Sequence, residues 1–308
     1  MDKDDTSRKA AYKYLIVNDR DRKYGLWVNT VGFQTIGAGS FYPLEGHPSG
    51  YFFNVSKGRV LHEYQLVYIT KGKGELSLER NGTRPISRGN LLLLYPGQWH
   101  TYSPCRDTGW DEYFIGFEGA VADQFMKEGF QSLGEQVFEM GLNEELFSLF
   151  ARALEVAQAD KMFAQQYLAG IVLHMLGMVL SVSKNCAFGL NNMARKVEQA
   201  KIMMNESVCQ EMNPEELAMK LNVSYSWFRK VFKDYTGYAP AQYFQELKLR
   251  RAKQMLVGTS CSVKEIAYSL GYASPEHFFS IFKKHTGCTP SDYRLVGRGT
   301  PRGKRDGD

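Results

Sequence analysis

The sequence predicts an α+β protein of two domains: a small N-terminal β-barrel followed by helices, and an all-α C-terminal domain. Three observations lead there. Short strand-like segments with Gly and Pro punctuation fill residues 24–118. From about Val121 the apolar period becomes helical. The last third contains an internal repeat whose copies each read as helix, short turn, helix. A chain of 308 residues suits two domains, and 44% hydrophobic content is enough for cores without disulfide staples.

Residues 1–14 are charged and lack an apolar h-region, so a disordered tail without a signal peptide is expected. The barrel is assigned to 15–120. Glu63–Thr70 is β-branched and aromatic, and Lys71-Gly-Lys-Gly74 reads as the turn that ends it. Glu75–Glu79 alternates apolar and polar, and Asn81-Gly82 is a two-residue hairpin signal. Leu91–Tyr95 is a short apolar run halted by Pro96-Gly97, as a strand buried on both faces would be, and Tyr113–Phe117 is similar.

Residues 121–184 read as a helical dimerisation segment. Leu146, Phe147, Phe150 and Leu154 share one helical face. A second helix, roughly 161–183, is apolar almost all round and needs burial on more than one side, either at a subunit contact or inside its own domain. Its apolar run around Ile171–Leu180 is broken by His174 and Gly177 and is too short to span a bilayer, so no membrane association is expected. A linker is assigned to 185–194, the repeat-bearing domain to 195–297, and a disordered tail to 298–308.

Charge is divided unevenly. Residues 195–308 carry 19 Lys+Arg against 12 Asp+Glu; the totals of 38 and 33 leave 19 and 21 for residues 1–194. The net is +7 in the last third and −2 before it, which points to a polyanion partner there or to a solvated basic surface. The five cysteines (105, 186, 209, 261 and 288) are odd in number and widely spaced. That fits a reducing compartment better than a disulfide framework or a zinc site.

The repeat aligns Leu217-Ala-x-x-Leu221-Asn-Val-Ser224 with Ile266-Ala-x-x-Leu270-Gly-Tyr-Ala273. It then aligns Phe228-x-x-Val-Phe232-Lys-x-x-Thr-Gly237-x-x-Pro240-x-x-Tyr243 with Phe278-x-x-Ile-Phe282-Lys-x-x-Thr-Gly287-x-x-Pro290-x-x-Tyr293. The second copy has one extra residue in its turn. Pro214-Glu-Glu suits a helix start, Ser224, Ser262 and Ser274 suit N-caps, and Gly237 and Gly287 suit helix ends. A helix from about Pro240 to Leu256 joins the copies, with apolar residues at 244, 247, 252, 255 and 256.

These motifs, over about a hundred residues, resemble the AraC/XylS family of bacterial transcription regulators. The resemblance implies a seven-helix DNA-binding domain with two helix-turn-helix units. It also implies an N-terminal cupin-like sensor of the arabinose-binding type, a homodimer, and RNA polymerase as a partner. Double-stranded DNA and a small-molecule effector are then expected, in the cytoplasm.

The second helix of each unit is the natural reader of a major groove. In copy one the candidate contacts are Tyr225, Ser226, Trp227, Arg229 and Lys230. Arg229 suits bidentate reading of guanine, Ser226 suits several bases, and Tyr225 or Trp227 suits a thymine methyl, unless Trp227 belongs to the core. In copy two they are Pro275, Glu276, His277 and Ser280. The chain departs there from a family pattern with Arg or another polar residue near 279–280. Copy two is therefore expected to position more than to read. Lys233, Lys283 and Lys284 are phosphate candidates.

In the first half, Gly89…Pro96-Gly97-Gln-Trp-His100 resembles the second cupin motif. The first motif, His-x-His with a downstream Glu, is missing: His62 stands alone, and His47 and His174 lack ligand spacing. No metal, no cofactor and no catalytic residues are expected, because no nucleophile triad, P-loop or dinucleotide fingerprint appears. An aromatic barrel with scattered polar groups suits a small polar ligand. By resemblance to sugar-binding members, the ligand candidates are Arg59, Tyr64, His100, Tyr102, Glu112 and Phe114, and the regulated genes are expected to serve carbohydrate utilisation. Two alternatives stay open: a barrel that only dimerises, and a cupin-type enzyme fused to a DNA-binding module.

Overall fold

The computed structural model describes residues 10–43, 51, 54–79, 82–189, 192–210 and 212–298. His47, Asn81 and the tails 1–9 and 299–308 lie outside the described residues. The chain divides into two units, Met1–Lys184 and Asn185–Asp308.

In the first unit, β1 (Ala10–Tyr14), the single turn α1 (Asp19–Arg22), β2 (Trp27–Ile36), β3 (Arg59–Val60) and β4 (Tyr64–Leu78) come first. β5 (Gly82–Ser87), β6 (Asn90–Leu94), β7 (Trp99–Pro104) and β8 (Trp110–Glu118) follow. Then come α2 (Ala120–Phe125), a π-helical turn (Met126–Phe130) and β9 (Val137–Glu139). One layer runs β1-β2-β8-β4-β6-β9, and in the other β4 pairs with β5 and β7, and β7 with β3. All pairings are antiparallel. β4 belongs to both layers: Tyr64–Gly72 pairs with β8, and Lys73–Leu78 with β5.

This corrects the turn expected at 71–74. Those residues continue a fifteen-residue strand, and their glycines serve close approach instead. A Cβ on Gly72, whose φ is +82°, would stand 2.1 Å from the Gly109 carbonyl oxygen; one on Gly74 would stand 2.2 Å from that of Ser103. Glycine in a strand interior marks such a crossing. Likewise residues 10–14, expected as tail, form β1: Tyr12 and Tyr14 are good strand residues and find an open edge on β2.

Strand alternation separates two cores. Leu66, Tyr68, Leu91, Leu93, Ile115 and Phe117 face helices α3 (Glu144–Ala159) and α4 (Ala164–Gly189). Val67, Ile69, Leu92, Leu94, Tyr102, Trp110 and Phe114 face the barrel interior. On α3 the buried face is Leu146, Phe150, Ala153, Val156 and Ala157, whereas Phe147 is exposed. Small alanines complete the stripe and rotate it away from Phe147. α4 has 26 residues and is long and apolar enough to cross a membrane, which corrects the shorter estimate. Yet Leu168, Val172, Met175, Leu176 and Val179 are fully buried against the sheet, as in a core helix. Its outer side carries Gly170, His174 and Gly177, all exposed. α4 also runs through Gly189, into the segment read as linker, which holds no proline to stop it.

The second unit contains α5 (Asn192–Glu206), α6 (Pro214–Lys220), α7 (Tyr225–Thr236), α8 (Pro240–Gly258), α9 (Val263–Ser269), α10 (Pro275–Thr286) and α11 (Pro290–Gly297). The repeat becomes two helix-turn-helix units, α6–α7 and α9–α10, each with its own core. Phe228 and Phe232 are fully buried in one, Phe278 and Phe282 in the other. Each such burial stabilises by about 1.5–3 kcal/mol. Asn222 (φ 52°) and Gly271 (φ 67°) take the same left-handed place in the two turns. α8 supplies Phe244 to the first core and Leu249, Ala252 and Leu256 to the second. Lys248 is buried between them, over the rings of Phe244 (5.2 Å) and Tyr272 (5.3 Å).

Candidate functional site

The two reading helices begin alike. Ser224 accepts a hydrogen bond from the Trp227 amide at 3.4 Å, and Ser274 accepts one from the His277 amide at 3.2 Å. Both helices end at glycines with positive φ, Gly237 and Gly287. Thr236 and Thr286 each donate to the carbonyl four residues back, at 2.7 Å. Side-chain caps thus fix where each helix starts and stops, and hence which residues it shows to solvent.

On α7, Ser226, Arg229, Lys230 and Lys233 are exposed at helical spacing, forming one polar face. Tyr225 and Trp227 are half-buried and pack against the first core, so they stand beside that face rather than on it. On α10, Glu276, His277, Ser280, Lys283 and Lys284 are exposed, and Pro275 is half-buried in the first turn. Phe279 packs against the second core. Glu276 is held below the usual carboxylate range by hydrogen bonds at the helix start and carries its charge there. α10 therefore presents an anion at its first turn and Lys283, Lys284 and His285 at its last. α7 offers three exposed cations, Arg229, Lys230 and Lys233.

The barrel interior gathers five of the six ligand candidates. His100 and Tyr102 lie two apart on β7, Glu112 and Phe114 two apart on β8, so each pair points the same way. Arg59 enters from β3, paired with His100. Its Nε donates to His100 Nε2 (3.2 Å), Nη1 to the Tyr51 carbonyl (2.6 Å), and Nη2 to Gln65 Oε1 (3.1 Å) and Tyr102 Oη (2.9 Å). Its guanidinium also lies 5.5 Å from the centre of the Tyr102 ring.

Electrostatics follow from burial. His100 is 1% exposed. Burial and then Arg59 lower its pKa to about 4, so the ring is neutral, with Nδ1 facing the Gln98 carbonyl at 3.1 Å. Glu112, also 1% exposed, is raised to about 7 by burial. Gln34 Nε2 and Tyr42 Oη (3.4 Å) donate to its Oε1, while its Oε2 finds no partner among the described residues. Tyr102 is pushed up to about 12, first by burial. The space left at the centre is about 20 Å³, bounded by Gln34, Tyr42, Arg59, Gln65, Tyr102 and Phe114 among others. That volume is on the order of one water molecule.

Tyr64 is not part of this chamber. It lies on the opposite face of β4, stacked on Phe117, and its hydroxyl donates to Asp123 at 2.9 Å. The next residue, Gln65, faces inward in its place. Tyr68 and Tyr113 also point outward, to Phe150. Gln34, Tyr42 and Gln65 were missed. A glutamine inside the apolar run Phe33-Gln-Thr-Ile36 was the available signal, since an unpaired buried amide is costly.

A second acid, Glu63, is 3% exposed and raised to about 7 by burial. It accepts from Asn29 (2.8 Å), Thr30 (3.2 Å) and Tyr51 (3.3 Å), and Asn29 also donates to Glu118 (2.6 Å). Among the described residues, no three His, Cys, Asp or Glu side chains are placed to hold a metal ion.

Comparison with known proteins agrees with both halves of this architecture. Residues 38–172 match the model of an AraC-like ligand binding domain, and residues 217–295 that of a helix-turn-helix domain. The chain is 24% identical to the Msm operon regulatory protein of Streptococcus mutans, over 82% of this chain and 90% of that one. It is 23% identical to the lactose operon transcription activator of Staphylococcus xylosus, over 80% and 86%. It is 28% identical to the HTH-type transcriptional activator RhaR of Mannheimia succiniciproducens, over 76% and 85%. With a ligand-binding domain of this kind ahead of paired helix-turn-helix units, the chain belongs to the AraC family of DNA-binding transcriptional regulators.

Proposed function

We propose that this regulator responds to a sugar, acts as a cytoplasmic homodimer, and controls carbohydrate-utilisation genes through contacts with RNA polymerase; it performs no chemistry of its own. The observation that carries the sugar reading is the buried set Arg59, His100, Tyr102, Glu112 and Phe114. A cation, a neutral imidazole, a carboxyl group with an unpartnered oxygen and two aromatic faces match a ligand rich in hydroxyls. The name of the lactose operon relative supports the same class. In this reading the barrel senses, the helices within residues 121–184 dimerise, and residues 195–297 bind DNA. α7 reads bases through Arg229 and Ser226, with Lys230 beside them. Tyr225 and Trp227 buttress it. α10, with Pro275, Glu276, His277 and Ser280, chiefly sets position, and Lys233, Lys283 and Lys284 hold phosphate. The two helices enter successive major-groove segments about 34 Å apart.

The small chamber favours a second reading, in which the barrel only dimerises. At about 20 Å³ it is too small for a sugar as it stands. A thermal-shift screen against pentoses, hexoses, uronic acids and short oligosaccharides separates the two. A ligand of the folded state at 100 times its dissociation constant adds about 2.7 kcal/mol. A shift abolished by His100→Ala supports the sensor; no shift with any sugar supports the second reading.

A further inference from the structure

The two reading helices are tied to α8 in different ways. α7 joins it through three residues, 237–239. α10 is separated from the end of α8 by α9 and its flanking turns, residues 259–274. A short covalent connection therefore holds α7 against α8, whereas the direction of α10 depends on side chains.

Two neighbouring residues of α8 supply them. Gln245 Nε2 donates to the Tyr272 hydroxyl at 2.7 Å, and Glu246 Oε1 lies 3.1 Å from His285 Nδ1. Tyr272 stands three residues before α10 begins, and His285 lies in its last turn, so α8 holds α10 at both ends. Tyr272 is 6% exposed, with Lys248 Nζ 5.3 Å from its ring centre. The same ring meets Phe278 at 5.0 Å and His277 at 6.1 Å. Phe278 is buried in the second core, and His277 is exposed at the start of α10. Tyr272 thus reaches α8 with its hydroxyl and the start of the reading helix with its ring.

The repeat shows that a helix-turn-helix core does not itself require this hydroxyl. The position equivalent to Tyr272 in copy one is Val223, whose side chain has no polar group. The residues just before them, Asn222 and Gly271, share the left-handed conformation, so the two turns are alike in backbone and differ in this contact. A buried polar contact narrows the arrangements open to a core, because a displaced geometry leaves it unpaired. The exposed Glu246–His285 contact adds direction more than stability.

We propose that Tyr272 is a positioning residue for DNA binding: held by Gln245, it fixes α10 against α8 and thereby the spacing at which the two reading helices accept DNA. The proposal rests on the reading in which α7 and α10 enter successive major-groove segments.

The test uses the duplex that the full chain selects from randomised DNA, with the segments read by α7 and α10 located by base-pair substitution. Anisotropy titrations compare it with a duplex carrying one added base pair between those segments, which rotates one against the other by about a tenth of a turn. Wild type should bind the lengthened duplex at least tenfold more weakly. Tyr272→Phe and Gln245→Leu should each bind the selected duplex more weakly than wild type does, yet lose less than threefold on the added pair. The double variant should match the single ones, as partners in one contact do. A loss of stability alone lowers affinity for both duplexes by one factor and leaves their ratio unchanged. The wild-type ratio in both single variants overturns the proposal alone. A wild type indifferent to the added pair overturns the two-groove reading and the proposal with it. If Tyr272→Phe fails to fold by circular dichroism, Gln245→Leu, at a half-buried position, decides.

Discussion

Arg59 Nε lies 3.2 Å from His100 Nε2 and donates to it, so a cation and an imidazole share one hydrogen bond inside the barrel. The contact requires the imidazole to be neutral, because a protonated Nε2 has no lone pair to accept with.

This sets a pH dependence. His100 titrates at about 4 when folded against 6.5 as the ordinary value. The unfolded chain therefore binds the proton first on acidification. The contribution of this group is complete above pH 6.5 and is lost as pH falls toward 4. In urea unfolding, the stability gap between wild type and His100→Gln should narrow across that window. A constant gap would show that His100 titrates as an ordinary histidine.

Glu112 has the opposite sign. Its folded value of about 7 stands above 4.5, so the folded state holds the proton longer. Its contribution is present below pH 4.5 and is lost as pH rises through 7. Glu112→Gln, which is always neutral, should gain melting temperature on the wild type across that rise. Parallel curves for the two proteins would contradict the buried-acid assignment.

The faces of α7 and α10 predict different losses on DNA. Arg229→Ala should cost about 1–3 kcal/mol on the operator and relax specificity. Lys283→Ala should weaken binding to every sequence and reduce the salt slope by about 1. Salt titrations on operator and random DNA distinguish them; equal effects on random DNA would end this division of labour.

Gly72→Ala should be among the most damaging single changes in the first unit. Its φ is +82° and the new Cβ would meet the Gly109 carbonyl at 2.1 Å. A loss of about 2 kcal/mol or more is expected in chemical unfolding. A neutral result would mean that the crossing of β4 relaxes freely.

Lys248 joins the cores of the two helix-turn-helix units. Lys248→Ala should destabilise the second unit by about 1–3 kcal/mol, and Lys248→Met by less, because methionine keeps the filling volume. Trp227, the one tryptophan in residues 185–308, reports this unit by fluorescence. Equal losses in both variants would assign the effect to charge rather than to packing.

The C-terminal unit was legible because its signals are local. Caps, apolar stripes and closing glycines all fall within a dozen residues, and the repeat states them twice. The barrel was legible as strands but less so as faces. Tyr64 and Gln65 differ by one position, and the side of β4 that each takes is fixed by pairing with β8, some fifty residues away. Gln34 and Glu112 stand in register across 78 residues, which no short window contains. Gly72 and Gly74 looked like a turn because glycine serves both turns and crossings, and only the approach of Gly109 and Ser103 tells them apart. On α3, bulk was mistaken for burial: Phe147 is out, and Ala153 and Ala157 are in.

β4 is a shared wall. Gln65, Val67 and Ile69 are its inner surface; Tyr64, Leu66 and Tyr68 are its outer one. The Tyr68 hydroxyl donates to the Gly141 carbonyl at 2.7 Å and accepts the Asn143 amide at 2.9 Å. Asn143 is the residue that caps α3. A one-residue slip of such a strand would exchange its two surfaces, so register change is closed to it as a response. The movement left to it is bending. Pressure on the inner surface is thus felt at the root of α3 through a single thickness of backbone, with no intervening loop to absorb it.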